Sequence, residues 1–239
     1  MQFQIRCRFT TKVLFEGDYP TLKACVEAAV KAGANLSRAD LAGADLSGAK
    51  LSGAKLSGAN LTNANLTGAD LTNAYLTRAD LAGADLSGAK LSGAKLSGAN
   101  LTNANLTGAD LTNAYLTGAD LTGADLTGAY LAGAKLTGAK NIETCRLDTG
   151  ETVKEYREQV VPALIAAGGK TLDDPAVASS WNCHHWENCP MHTVFGINSE
   201  SEAPIFHRPR VKQFVQLFDA GWLPAETIPG LAVVACPTK

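Results

Sequence analysis

Ala34-Asn35-Leu36-Ser37-Arg38-Ala39-Asp40-Leu41-Ala42-Gly43-Ala44-Asp45-Leu46-Ser47-Gly48-Ala49-Lys50-Leu51 opens a stretch in which Leu returns at every fifth position as far as Leu136, each with Ala two residues before it. Five residues turn an ideal α-helix through about 500°, which scatters such leucines around the axis, and a Gly in most repeats costs roughly 1 kcal/mol each in a helix interior. Simple strand alternation fails as well, because its period is two and five is odd. A chain that turns a corner every five residues meets both objections. Gly and Asn then take the corners, and Leu and Ala point inward as the constant apolar positions.

The residue before each Leu tests how many sides make one circuit. Successive coils stack about 4.8 Å apart, and like charges directly above one another repel. Four repeats per coil give no like-charge pair and place Lys50, Asp70, Lys90 and Asp110 in one alternating column. Three per coil stack Asp70 on Asp85 and Asp110 on Asp125, and five stack Asp45 on Asp70 and Asp85 on Asp110. A four-sided coil is expected. Residues 39–77 and 79–117 are identical, so the copied unit of 40 residues is two whole coils on this reading. Inserting complete coils lengthens such a rod and leaves its cross-section undisturbed.

Written Ala-Asp/Asn-Leu-x-x, residues 34–140 resemble the pentapeptide repeat family. The resemblance implies an all-β solenoid, a right-handed quadrilateral β-helix with Leu and Ala inside. About five coils give a core on the order of 25 Å long.

Both ends of a solenoid expose a sheet edge and need covering. Residues 1–33 read as an N-terminal cap. Phe3, Ile5, Cys7 and Phe9 alternate with Gln4, Arg6 and Arg8, and Val13-Leu14-Phe15 follows a short turn, which predicts a β-hairpin. A helix is predicted from Pro20 or Thr21 to about Ala32, with Leu22, Cys25, Val26, Ala29 and Val30 on one face and Gly33 as its stop. The β-helix is expected over 34–141 and a mainly helical C-terminal cap domain over 142–239. In that domain one helix is predicted around Glu151–Ala167, kinked or split by Pro162, and a second near Arg208–Ala220. The stretches Asn188-Cys189-Pro190-Met191 and Leu217-Phe218-Asp219-Ala220-Gly221 resemble segments that accompany pentapeptide repeats in phage or prophage settings, a resemblance that implies no activity.

The formal net charge of −2 gives no whole-chain reason to expect capture of nucleic acid or an anionic membrane. The start lacks a secretory signal pattern, and no stretch approaches the ~18 apolar residues of a membrane span, so a cytoplasmic protein is expected. Six cysteines spread over a long, repeat-rich chain point to the reduced state rather than a disulfide framework.

Outward columns of Lys, Asp and Asn read first as solubilising ladders that set the register. Tyr75, Tyr115 and Tyr130 stand apart, because exposed aromatics favour interfaces, and they are the candidate interaction residues. Some members of the family imitate DNA and inhibit gyrase, which requires a strongly acidic rod. Residues 34–140 instead carry eight Asp against six Lys and two Arg, a sum of zero. Cys183, His184, His185, Cys189 and His192 form the densest chemical cluster and include four-ligand sets suited to zinc, but Cys-x5-Cys-x2-His is unlike the common zinc patterns. Packing of Trp181, Trp186 and Met191 is the competing reading of that segment. The expectation is a non-catalytic scaffold that binds a protein, without cofactor, nucleic acid or membrane. Inhibition of a DNA-handling enzyme such as gyrase is the alternative, and pairing of two copies through an end cap is compatible with its Trp and Phe residues.

Overall fold

The computed structural model describes residues 1–141, 145 and 152–167. The chain forms two compact units, Met1–Leu147 and Asp148–Lys239.

In the first unit, parallel bridges join each residue that precedes a Leu to the one twenty positions later, from Asn35–Lys55 through Asp120–Lys140. One circuit is therefore four pentapeptides. The backbone shows why five residues suffice for a side. Leu46 N–H donates to the Asn65 carbonyl at 2.7 Å and Gly48 N–H to the Thr67 carbonyl at 2.8 Å, both on the next coil, while Ala49 N–H returns to the Leu46 carbonyl at 2.9 Å and closes the corner. At each corner the second residue after Leu has positive φ, as the third position of a type II turn requires. Gly or Asn fills that position everywhere except at Arg38 and Arg78, which adopt φ of 62° and 56°. Every repeat leucine is buried, none more than 6% exposed. At about 2 kcal/mol for each buried Leu, the column of leucines inside each wall is the main favourable term in the rod.

Strand β1 (Gln2–Arg6) and strand β2 (Val13–Asp18) pair antiparallel, with an irregularity in register between Ile5 and Arg6. Beyond it the chain leaves the hairpin and joins the first coil. Asp40 N–H donates to the Arg6 carbonyl at 2.8 Å, Arg8 N–H donates to the Arg38 carbonyl at 2.7 Å, and Cys7 bridges Ala39. Ile5 is buried, but Phe9 is 68% exposed, so the expected apolar alternation does not extend to it. The strand ends first, as Cys7 N–H turns back to the Lys12 carbonyl. Helix α1 (Leu22–Lys31) starts at Thr21, whose hydroxyl accepts from Ala24 N–H at 3.1 Å, and buries Cys25, Val26 and Ala29. Lys23 Nζ donates to the Ser47 carbonyl at 2.5 Å, and Glu27 accepts from Lys50 N–H at 2.9 Å, so the helix is fastened to the outermost coil by polar as well as apolar contacts.

Cys145 is buried, with its thiol donating to the Leu121 carbonyl at 3.2 Å. Burial, followed by the Asp125 carboxylate, pushes the thiol up to about 12. Cys7, Cys25 and Cys145 are free thiols.

In the second unit, helix α2 (Val153–Glu155) opens on a capping box between Thr152 and Glu155, passes through a π-helical turn at Tyr156–Val160, and continues as α3 (Val161–Ala167). Pro162 supplies the reason for that turn. It offers no N–H, and its ring crowds the carbonyl four residues back, so the expected disturbance takes the form of a widened π turn between two α-helical segments. Val153, Tyr156, Val160, Val161, Leu164 and Ile165 are buried. The predicted Arg208–Ala220 helix, and the group Cys183, His184, His185, Cys189 and His192, lie outside the described residues. No helix among the described residues is long and apolar enough to cross a membrane.

Candidate functional site

Because each wall receives every fourth pentapeptide, the variable residues sort into four columns. Wall 1 carries Asn35, Lys55, Tyr75, Lys95, Tyr115 and Lys135. Wall 2 carries Asp40, Asn60, Asp80, Asn100, Asp120 and Lys140, and wall 3 carries Asp45, Asn65, Asp85, Asn105 and Asp125. Wall 4 carries Lys50, Asp70, Lys90, Asp110 and Tyr130. The zero charge of the repeat region is thus not spread evenly. From Lys55 onward wall 1 is cationic and aromatic, walls 2 and 3 hold the Asp residues at 40, 45, 80, 85, 120 and 125 with Lys140 as a cation at the end of wall 2, and wall 4 alternates signs from Lys50 to Asp110. Adding charges along the sequence misses this, although taking the positions in steps of twenty would have found it.

Tyr75 and Tyr115 share wall 1, 42% and 39% exposed, whereas Tyr130 is 54% exposed on the adjoining wall 4, so the three predicted residues do not form a single patch. On wall 1 two lysines lie over the ring below them, Lys95 Nζ 4.3 Å from the Tyr75 ring centre and Lys135 Nζ 4.6 Å from that of Tyr115, while Lys55 Nζ donates to the Gly33 carbonyl at 3.3 Å. Cations packed on aromatic faces hold the column upright and place its phenol edges and ammonium groups outward.

Walls 2 and 3 work differently. Asn60 donates to Asp40 at 2.9 Å, Asn100 to Asp80 at 3.1 Å, Asn65 to Asp45 at 3.2 Å and Asn105 to Asp85 at 3.3 Å, so at every second step an amide bridges to the carboxylate on the coil before it. The same carboxylates and amides also reach forward along their own chain. Asp85 Oδ1 accepts from Ser87 N–H at 2.9 Å and from its hydroxyl at 2.6 Å, and Asn105 accepts likewise from Thr107 at 3.0 and 2.6 Å. That Ser/Thr N–H is the backbone donor which the coil-to-coil ladder leaves over, so an Asx turn supplies its acceptor. The amides of Ser or Thr and their hydroxyls hold the carboxyls of Asp45, Asp70, Asp85 and Asp120 below the usual range. At Asp110 burial pushes upward, and the hydroxyls of Ser92 and Thr112 with the Thr112 amide outweigh it.

A four-sided solenoid with this repeat defines a class, and the comparisons place the chain in it. The model of the family "Pentapeptide repeats" matches residues 32–68, 64–103 and 104–140. A pentapeptide repeat protein from the cyanobacterium Cyanothece 51142 is 43% identical, with a TM-score of 0.37 and coverage of 38% of this chain and 61% of that one, so this chain spans less than two thirds of its length. A pentapeptide repeat protein from the Arabidopsis thaliana thylakoid lumen is 40% identical, TM-score 0.32, over 42% of this chain and 80% of that one. Another from Nostoc Pcc 7120 is 42% identical, TM-score 0.34, over 36% and 74%. No curated protein matches. The chain belongs to the pentapeptide repeat family, whose members form right-handed quadrilateral β-helices.

Proposed function

We propose that this chain is a non-catalytic cytoplasmic scaffold that binds a protein partner, and that wall 1 is its binding face. The observation that carries this reading is the column Lys55, Tyr75, Lys95, Tyr115, Lys135, in which exposed aromatics and cations alternate on a rigid grid without an acidic residue. Tyr side chains give large contact area at low entropic cost, and a surface already ordered by coil stacking has little freedom left to lose on binding.

The DNA-mimic reading gains one observation, the six Asp gathered on walls 2 and 3. Over a rod on the order of 25 Å, duplex DNA presents about 15 phosphate charges. Six carboxylates are under half of that, so protein binding through wall 1 is the better supported reading. Its test is a pull-down with the intact chain beside a Tyr75→Ser/Tyr115→Ser variant of unchanged circular dichroism. Loss of the captured partner in the variant is expected. Equal capture by both would move the binding site off wall 1, and inhibition of DNA supercoiling by the purified chain would favour the mimic.

A further inference from the structure

Walls 1 and 3 face opposite ways on one rod and are complementary in both charge and spacing. On wall 1 Lys55, Lys95 and Lys135 recur every second coil, with Tyr75 and Tyr115 between them. Wall 3 repeats Asp45, Asp85 and Asp125 at the same interval, with Asn65 and Asn105 between them. The shared step of two coils, about 9.6 Å, follows from the stacking distance. Laid side by side, two copies bring three Lys opposite three Asp and two phenols opposite two carboxamides, in one register. The five positions from Lys55 to Lys135 and the five from Asp45 to Asp125 each read the same from either end, so over them parallel and antiparallel rods match equally well.

From this geometry we infer that the chain associates laterally with a second copy of itself, wall 1 of one against wall 3 of the other. The inference rests on the reading of wall 1 as a binding face and names one occupant for it. Wall 1 suits this occupant better than a nucleic acid, because lysine ammonium groups already cover the ring faces on which bases would stack. The carboxylates opposite are not taken up in ion pairs within 4.0 Å among the described residues, although Lys23 is a neighbouring charge for Asp45 and the Thr67 hydroxyl donates to Asp85. Among the described residues the ion pair within 4.0 Å is Arg8–Asp80, on wall 2, and each wall 3 Asp uses Oδ1 for its internal bonds.

Contact of this kind joins two different faces, so it does not close on itself and propagates from copy to copy. A wall of about 10 by 25 Å is far below the roughly 800 Å² per partner of a stable complex, and the ion pairs lie in water, so association is weak and sensitive to salt. Analytical ultracentrifugation of the full chain from about 10 μM to about 1 mM, in roughly 20 mM and then 300 mM salt, reads it directly. At the highest concentration and low salt the weight-average mass should reach at least about twice the monomer value, and it should return to the monomer at high salt. Asp45→Asn/Asp85→Asn/Asp125→Asn keeps each Oδ1 acceptor and should stay monomeric, as should Lys55→Glu/Lys95→Glu/Lys135→Glu. A wild-type chain that is monomeric throughout, or an association that survives salt or either triple substitution, overturns the inference. The Asn triple leaves wall 1 intact, so partner capture by a chain that never self-associates would sink this inference alone and leave the scaffold reading standing.

Discussion

Asp85 carries three bonds on one oxygen, from Ser87 N–H, from the Ser87 hydroxyl and from Asn105 one coil away. The first two complete the backbone account of a five-residue side, and the third ties two coils together. Asp85→Ala should therefore cost about 1–2 kcal/mol in urea unfolding, and Asp85→Asn, which retains an oxygen acceptor, less than half of that. Equal losses in the two variants would show that charge, not acceptance, is what the position supplies. This role is only half legible in the sequence. Charge alternation along Lys50, Asp70, Lys90 and Asp110 reveals the stacking period, because repulsion depends on residue type alone. That Asp or Asn at this position serves the amide two residues on depends on which N–H groups the ladder leaves over, and that emerges only from the hydrogen-bond pattern.

A coil multiplies this chemistry. Asp45, Asp70, Asp85, Asp110 and Asp120 all titrate below the ordinary carboxyl value of 3.8 because the folded turns donate to their ionised forms. A depressed folded value means that the unfolded chain binds more protons in this range. The stabilisation is therefore fully present above about pH 4 and is lost as the pH falls through the folded values. The melting temperature, followed by circular dichroism, should hold between about pH 5 and 7 as far as these groups are concerned and decline steadily from about pH 4 to pH 2. No decline on acidification would mean that the Asx bonds add nothing beyond what unfolded carboxylates obtain from water. Elements outside the coils were readable where the pattern was local. The capping hydroxyl of Thr21 and the stop at Gly33 bracket α1, whereas Phe9 continues an alternation on paper after the strand has ended, because the switch from hairpin to coil edge is a tertiary event. Pro162 likewise announces a disturbed helix without saying that a π turn will absorb it.

The rod as a whole repeats every two coils rather than every one, and the corners show the reason. Asn63, Asn73, Asn103 and Asn113 hold positive φ, and each lays its Oδ1 where a Cβ on the glycine of the next coil would stand, at Gly83, Gly93, Gly123 and Gly133. Asn therefore has to alternate with Gly along these edges, just as Asp alternates with Asn and Lys with Tyr on the walls. Deleting residues 79–118 removes two coils, carries Asn63 onto Gly123 and Asn73 onto Gly133, and leaves Asp45 below Asn65 below Asp125. The walls then stack only kinds of residue that already stack in the intact rod, Asp70 taking the place of Asp110 between a Lys and Tyr130. Deleting residues 79–98 removes one coil and sets Asn63 against Asn103, Asn73 against Asn113, Tyr75 on Tyr115 and Asp70 on Asp110. Each displaced Asn side chain costs about 0.5–1.5 kcal/mol to rotate away, and the Asp pair adds a few tenths to about 1 kcal/mol more. Added coils ordinarily stabilise a solenoid through the extra interface, so length alone ranks the one-coil deletion above the two-coil deletion. The side-chain period should cancel that advantage, giving the longer variant a melting temperature no higher than the shorter one. If stability instead rose simply with coil number, any coil would stack on any other, and the duplication of 40 residues rather than 20 would have no physical cause in the packing.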